Sequence, residues 1–217
     1  MAKEALLQVN NLKKHFSMGK GQTLKAVDDV SFHIKQGETF GIVGESGSGK
    51  STVGRALARL LSPNGRITAD KVELEGRDLL SLTEQQMQDV RGRRISMILQ
   101  DPKYSLNPVM TIGDQLLEAA RGFKEGAAAR QHALGMLAAV RIRDPERVYR
   151  AWPHELSGGM GQRAMIAMML MAEPELLIAD EPTSALDVTV RLQVLAILDD
   201  LVKTRHMGLI FISHDLN

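Results

Sequence analysis

The chain has 217 residues, of which 44% are hydrophobic and 24% are charged, a composition typical of a globular domain. Its 27 basic residues nearly balance 26 acidic ones, so no strong net charge favours nucleic acid or anionic lipid as a partner. The absence of cysteine excludes disulfides and Cys-ligated zinc or iron–sulfur sites within these residues. The longest apolar run, at 164–172, is too short to cross a bilayer.

The first third of the chain carries β-type patterns. Apolar and polar residues alternate over 6–16 and 24–35, and glycines at 19–21 mark a turn between these two predicted strands. The short apolar run at 39–43 predicts a buried strand, and the periodicity of 53–61 predicts a helix that begins near residue 50. Residues 71–75 alternate again. We therefore expect an antiparallel β layer made from the first two strands and the one at 71–75.

The rest of the chain alternates between helix and strand. Capping-box spacing at 83–86 predicts a short helix that ends at 91–92. Further helices are expected near 111–121, 126–140, 145–151, 158–171 and 187–203, and strands at 94–99, 175–179 and 208–213. This order predicts an α/β fold with a mostly parallel core sheet that has helices on both faces. The helices near 111–121, 126–140 and 145–151 form a predicted all-helical insert that begins at about residue 101.

A glycine-rich segment follows the predicted strand at 39–43. It reads Gly44, Glu45, Ser46, Gly47, Ser48, Gly49, Lys50, Ser51, Thr52 and fits the pattern G-x-x-x-x-G-K-[ST]. Glycines let successive amide N–H groups turn inward around phosphates, and the following helix adds its positive end. Lys50 can reach the outer phosphates, and the Ser51 hydroxyl can ligate Mg²⁺. A plain Gly/Ser-rich turn is the alternative interpretation.

Two acidic residues, Asp180 and Glu181, follow the predicted strand at 175–179. Open α/β sheets place their ligands at this end of a strand. An aspartate there suits Mg²⁺ held mainly through water, and the next carboxylate can orient a water for in-line attack on a γ-phosphate. A solvated acidic turn is the alternative, but the glycine-rich segment on the same chain favours the functional interpretation.

A second anion-binding helix end is predicted at 156–162. Ser157 is a good N-cap residue, and Gly158 and Gly159 leave the amides of the first turn uncovered. Two such helix ends, far apart in sequence, indicate either two ligands or one ligand shared between two copies. The alternative is a capped helix start whose glycines allow close packing.

In type and order these motifs resemble those of the nucleotide-binding subunits of ABC transporters. The matching segments are Walker A at 44–52, a Q-loop at Gln100, the signature at 156–162, Walker B at 176–180 with Glu181, the D-loop at 184–187 and the switch histidine His214. The signature departs from the common form at Met160 and Gly161. Segments 101–102, 105–108, 153–159 and 179–187 further resemble the branch that serves oligopeptide, dipeptide, glutathione and nickel importers.

The resemblance implies two ATP molecules held between two domains that pair head to tail. Each ATP would be bound by Walker A of one domain and, in trans, by Ser157, Gly158, Gly159 and Asp187 of the other. Phe16 would stack on adenine, although a core role is the alternative for an aromatic at the end of a strand.

The same resemblance assigns the chemistry. Glu181, His214 and Gln100 would be catalytic, His214 by holding the γ-phosphate and Gln100 by contacting Mg²⁺ and the attacking water. Ser51, Gln100 and Asp180 would form the metal site.

The resemblance also implies an arrangement of domains and partners. Residues 1–217 would be one ABC domain, with 1–100 and 155–217 as the ATP-binding core with its β layer and 101–154 as a helical subdomain whose signature helix continues to about 172. Because the family normally continues past the switch histidine, we expect the chain to be truncated after it. The partners would be a second nucleotide-binding domain, transmembrane permease subunits and, indirectly, a solute-binding protein, at the cytoplasmic face of the inner or plasma membrane.

Two other functions are open at this point. A soluble ABC-type ATPase without transport is expected to have tandem domains or long heptads, and neither is present in the sequence. A nucleotide-locked binding module is the other alternative, and Glu181 together with His214 argues against it.

Overall fold

A computed structural model of the chain describes residues 5–18, 22–61, 65–99, 105–184 and 186–214. Gln100, the turn at 19–21 and the segment 101–102 lie outside the described residues. Within them the strands are β1 (Leu7–Ser17), β2 (Thr23–Ile34), β3 (Thr39–Val43), β4 (Gly65–Thr68), β5 (Lys71–Leu74), β6 (Arg77–Asp78), β7 (Ile95–Ile98), β8 (Leu176–Asp180) and β9 (Gly208–Ser213).

Several helices of the described residues begin at a residue whose side chain accepts a hydrogen bond from the first turn. The helices of these residues are α1 (Lys50–Leu57), α2 (Glu84–Val90), α3 (Ile112–Ala119), α4 (Gly126–Ala139), α5 (Pro145–Arg150), α6 (Gly158–Met169) and α7 (Val188–Arg205). Thr83 and Gln86 form the predicted capping box at α2, and Ser157 and Asp187 cap α6 and α7. Among these helices, none combines the length and the apolar character that crossing a membrane requires.

The strands form two sheets. In the antiparallel sheet, β1 pairs with β2, β4 and β5, so β5 returns to the layer of the first two strands as predicted. The other sheet is parallel, in the order β3-β9-β8-β7. The predicted α/β fold, with a parallel core sheet, an antiparallel layer and flanking helices, is confirmed.

The parallel sheet separates two hydrophobic cores because side chains alternate between its faces. On one face, Leu176 and Ile178 pack with α1 and the antiparallel sheet. On the other face, Leu177 and Ala179 pack with α6 and the remaining helices of the second half. All five residues of β8 are buried, as expected for a central parallel strand.

Some of the predicted details are wrong. The strand at 39–43 is not buried: Thr39, Gly41 and Val43 are exposed, because β3 lies at an edge of the parallel sheet that the described residues form. The helix after the glycine-rich segment ends at Leu57 rather than at residue 61, since Arg59 adopts a left-handed conformation. The short strands β4 and β6 carry no alternation signal and were not expected.

One close contact fixes the glycine-rich segment against the antiparallel sheet. Gly49 has φ +92°, and a Cβ atom there would overlap the carbonyl oxygen of Ala26 on β2. Only glycine allows this backbone to come so near. The segment therefore lies between the parallel strand that precedes it and the middle of β2.

Candidate active site

The predicted site residues converge at one edge of the parallel sheet. The segment 44–49 follows β3, His214 follows β9, and Asp180 and Glu181 lie at and after the end of β8. Because β3, β9 and β8 are adjacent and parallel, their carboxyl ends meet at the same edge. Gln100 follows β7, the next strand, but lies outside the described residues.

The glycine-rich segment closes around its own lysine. The Lys50 ammonium donates to the carbonyl oxygens of Gly44 and Glu45 at 2.7 and 2.6 Å and lies 3.5 Å from the Ser48 hydroxyl. Lys50 is buried, whereas residues 45–48 are exposed. The loop thus presents its outer backbone to solvent and holds one positive charge beneath it.

The loop and the acidic strand end are joined directly. The Ser51 hydroxyl donates to Asp180 Oδ1 at 2.7 Å, and Arg55 on the same helix lies 3.8 Å from Asp180 Oδ2. Burial raises the pKa of Asp180 above its ordinary value, and the charge of Glu181 acts in the same direction. The hydrogen bond from Ser51 and the positive charges of Arg55 and Lys50 oppose this rise. A hydroxyl oxygen and a buried carboxylate oxygen thus lie side by side, and a small hard cation prefers oxygen ligands of this kind.

Glu181 and His214 form the second pair of the site. The Glu181 carboxylate lies 3.0 Å from Nδ1 of His214, and its side chain is only 15% exposed. Glu181 has φ +47°, which is unusual for a residue other than glycine, and its amide donates to Ile212 O at 3.0 Å. This backbone turns the chain sharply out of β8 and places the carboxylate toward the end of β9. Unusual backbone angles of this kind cluster at functional sites.

The predicted trans-acting residues form a separate group. Ser157 accepts from the Met160 amide, and Asp187 accepts from the Val190 amide. A Cβ atom at Gly159 would lie 2.6 Å from Val190, so the starts of α6 and α7 are in tight contact. Ser157, Gly158 and Asp187 are exposed. The contacts described for this group are with their own helices and with each other, not with the glycine-rich segment.

A hydrogen bond that the sequence did not predict joins the sheet-edge residues to the group that contains Ser157 and Asp187. Gln162, on the second turn of α6, is buried, and its amide Nε2 donates to the carbonyl oxygen of Pro182. Pro182 follows Glu181 directly. The sequence signal that could have indicated this bond is a glutamine placed just before the apolar run of the predicted signature helix.

Phe16 lies at the other end of the predicted site, near the end of β1. It is half-buried and pairs with Leu24 on β2 and with Gly65 on β4. The Lys14 ammonium lies 4.8 Å from the centroid of its ring. The role of Phe16 in adenine stacking stays a prediction.

The raised pKa of Asp180 leads to a test of stability. Because burial raises the pKa of Asp180 in the folded state above the ordinary value of an aspartate, this carboxyl favours folding at acid pH and loses that contribution as pH rises through the folded-state pKa. Asp180→Asn removes the charge and should raise the free energy of unfolding of the ligand-free protein by about 0.5–2 kcal/mol at pH 7, with a smaller gain toward pH 4. Urea unfolding at both pH values measures the difference.

The matched control for that test is Asp199→Asn, an exposed carboxylate on α7. It should change stability by no more than about 0.5 kcal/mol. A lower free energy of unfolding for Asp180→Asn at pH 7 would show that the buried charge stabilises the fold, contrary to this prediction.

The family model described as ABC transporter matches residues 27–184. The chain is 50% identical over 216 residues to a probable peptide ABC transporter ATP-binding protein, y4tR, of Sinorhizobium fredii, covering 98% of this chain and 64% of that protein. It is 45% identical over 214 residues to the dipeptide transport ATP-binding protein DppD of Escherichia coli, covering 98% of this chain and 65% of that protein. The chain therefore spans slightly less than two thirds of the length of these relatives.

A solved structure has the same fold. It is the dimeric post-hydrolysis state of the ATP-binding cassette MJ0796 bound to ADP and Pi, with a TM-score of 0.84, 28% identity, and coverage of 97% of this chain and 89% of that one. The matched family model includes Walker A and ends just after Glu181, and the likeness in structure extends over nearly the whole chain. The chain belongs to the ABC transporter family.

Proposed function

We propose that the chain is the ATP-binding and ATP-hydrolysing subunit of an ABC importer for peptides, nickel or a related small solute. The observation that carries this proposal is the 2.7 Å bond between Ser51 and Asp180, beside the Glu181–His214 pair at the same sheet edge. The peptide and dipeptide transport roles in the names of the relatives support the solute class.

The glycine-rich segment is suited to the phosphates of ATP. Its exposed backbone at 45–48 and the free amides at the start of α1 supply hydrogen-bond donors, and Lys50 supplies a positive charge. The ammonium now donates to two loop carbonyls and can exchange these acceptors for phosphate oxygens.

The residues present also fit Mg²⁺. Ser51 and Asp180 offer a hydroxyl and a carboxylate oxygen within 2.7 Å of each other, and we assign Gln100 as a further ligand from the end of β7. When bound, the ion would offset the negative charge of the phosphates and of the buried carboxylate.

Hydrolysis is assigned to the pair at the ends of β8 and β9. Glu181 would orient a water molecule and accept its proton, and His214 would donate to the γ-phosphate. The 3.0 Å contact between the two side chains holds each in place for these roles.

The complete site is proposed to need a second ATP-binding domain, from another copy or a related chain. Ser157, Gly158 and Asp187 are exposed, and the start of α6 can direct free amides at a phosphate held by the partner. The dimeric state of the MJ0796 cassette supports this pairing. We place the assembly at the cytoplasmic face of the membrane, on permease subunits, with a solute-binding protein as an indirect partner.

Glu181→Gln tests the catalytic assignment. Because the amide cannot accept the proton of water, ATP turnover should fall by about 100-fold or more, while ATP binding persists and an ATP-bound dimer accumulates. Phosphate release and light scattering measure the two effects. Glu118→Gln, an exposed change on α3, should leave both at the level of the unchanged protein. Undiminished turnover without dimer accumulation in Glu181→Gln would refute the assignment.

Transport is separated from the soluble-ATPase alternative by purification. The full-length protein, extracted with its membranes in mild detergent, should bring down polytopic permease subunits and a second ATP-binding chain or copy. Mass spectrometry identifies these proteins. Recovery of an active ATPase entirely in the soluble fraction, with no membrane protein attached, would favour the alternative.

A further inference from the structure

Lys14 is a buried cation in the antiparallel sheet. It lies on β1 and is 1% exposed, and Lys50 is the other lysine buried among the described residues. Burial of an ammonium group is costly, and desolvation lowers the pKa of Lys14. Interactions of the Lys14 ammonium offset part of this cost.

The charge lies against an aromatic ring. The Lys14 ammonium is 4.8 Å from the centroid of the Phe16 ring, within the distance of a cation–π interaction. The two residues are two positions apart on one strand, so they share a face of the sheet. Phe16 is half-buried, and its cross-strand partner Leu24 is 51% exposed, so apolar surface remains accessible beside the ring.

This pair lies next to the glycine-rich segment. Lys14 is opposite Val27 and Phe16 is opposite Leu24, while Gly49 abuts the carbonyl oxygen of Ala26, between those two partners on β2. A nucleotide whose phosphates occupy the segment therefore has its base within reach of this part of the sheet.

We propose that Lys14 is a positioning residue for the nucleotide base. Its ammonium holds the Phe16 ring from one side and draws π-electron density toward itself, so that the accessible side of the ring stacks more strongly on adenine. The proposal rests on the proposed function, because it concerns the base of the ATP whose phosphates the glycine-rich segment binds.

Two simpler roles make different predictions. If Lys14 only fills space with its aliphatic stem, removal of the charge at constant length should leave nucleotide affinity unchanged. If the charge attracts phosphates through space, its removal should weaken every polyphosphate, with or without a base.

The test is Lys14→Met in the full chain, with ATP and inorganic tripolyphosphate as ligands in titration calorimetry. ATP should bind about fivefold more weakly, since the cation–π contact is lost, while tripolyphosphate affinity stays unchanged. In a Phe16→Leu background the same substitution should have no further effect on ATP. Lys14→Arg, which keeps a cation over the ring, should retain most of the ATP affinity.

Lys13→Met is the matched control. It removes the same charge from the neighbouring position on β1, whose side chain alternates to the other face, and should leave ATP affinity unchanged. If Lys14→Met does not fold, Lys14→Gln takes its place in the same measurements, because it also removes the charge while keeping a polar end. A Lys14→Gln protein that binds ATP as tightly as the unchanged protein, or that weakens ATP binding equally in the Phe16→Leu background, contradicts the proposal.

Three results would overturn the inference: unchanged ATP affinity in Lys14→Met, an equal loss for tripolyphosphate, or an equal loss in the Phe16→Leu background. Failure of the proposed function looks different, since the unchanged protein would then bind neither ATP nor tripolyphosphate.

Discussion

The bond between Ser51 and Asp180 is the constraint on which the rest of the site depends. These residues are 129 positions apart in the chain, and their side chains meet only because β3, β9 and β8 are adjacent and parallel. The same register brings His214 to Glu181. Packing on both faces of β8 buries Asp180. The carboxylate that suits Mg²⁺ therefore lowers the stability of the ligand-free fold when it is charged. Function and stability oppose each other at this residue.

A second set of contacts links this edge to the exposed starts of α6 and α7. Gln162 bonds to the backbone just after Glu181, and Gly159 packs tightly on Val190. The segment between Glu181 and α7 is therefore held at both ends by the signature helix. In the proposed dimer, this helix contacts the partner's nucleotide, while Glu181 acts on the nucleotide of its own chain. The contacts of Gln162 and Gly159 therefore connect the two nucleotide sites.

Local sequence signals predicted much of this architecture. Alternation predicted β1, β2 and β5, caps predicted the starts of α2 and α6, and the motifs located the residues at the sheet edge. The exposure of β3 was not predictable, because it depends on which strand lies beside it rather than on its own residues. The bonds of Gln162 and the contact of Lys14 with Phe16 were also missed. Each depends on tertiary packing that fixes where a side chain points, which one-dimensional patterns do not encode.

The glycine-rich segment is proposed to be half of a nucleotide site that a second domain completes. A mixture of two singly changed chains, Lys50→Ala and Ser157→Phe, tests this proposal, since neither chain alone should hydrolyse ATP. A head-to-tail pair of one of each has one site with an intact Lys50 and an intact Ser157. Phosphate release by the equimolar mixture should recover to about a quarter of that of the unchanged protein, because about half of the randomly formed pairs are mixed and each has one of two sites intact. An unchanged protein that hydrolyses ATP on its own, together with a mixture as inactive as its two components, would contradict the proposal.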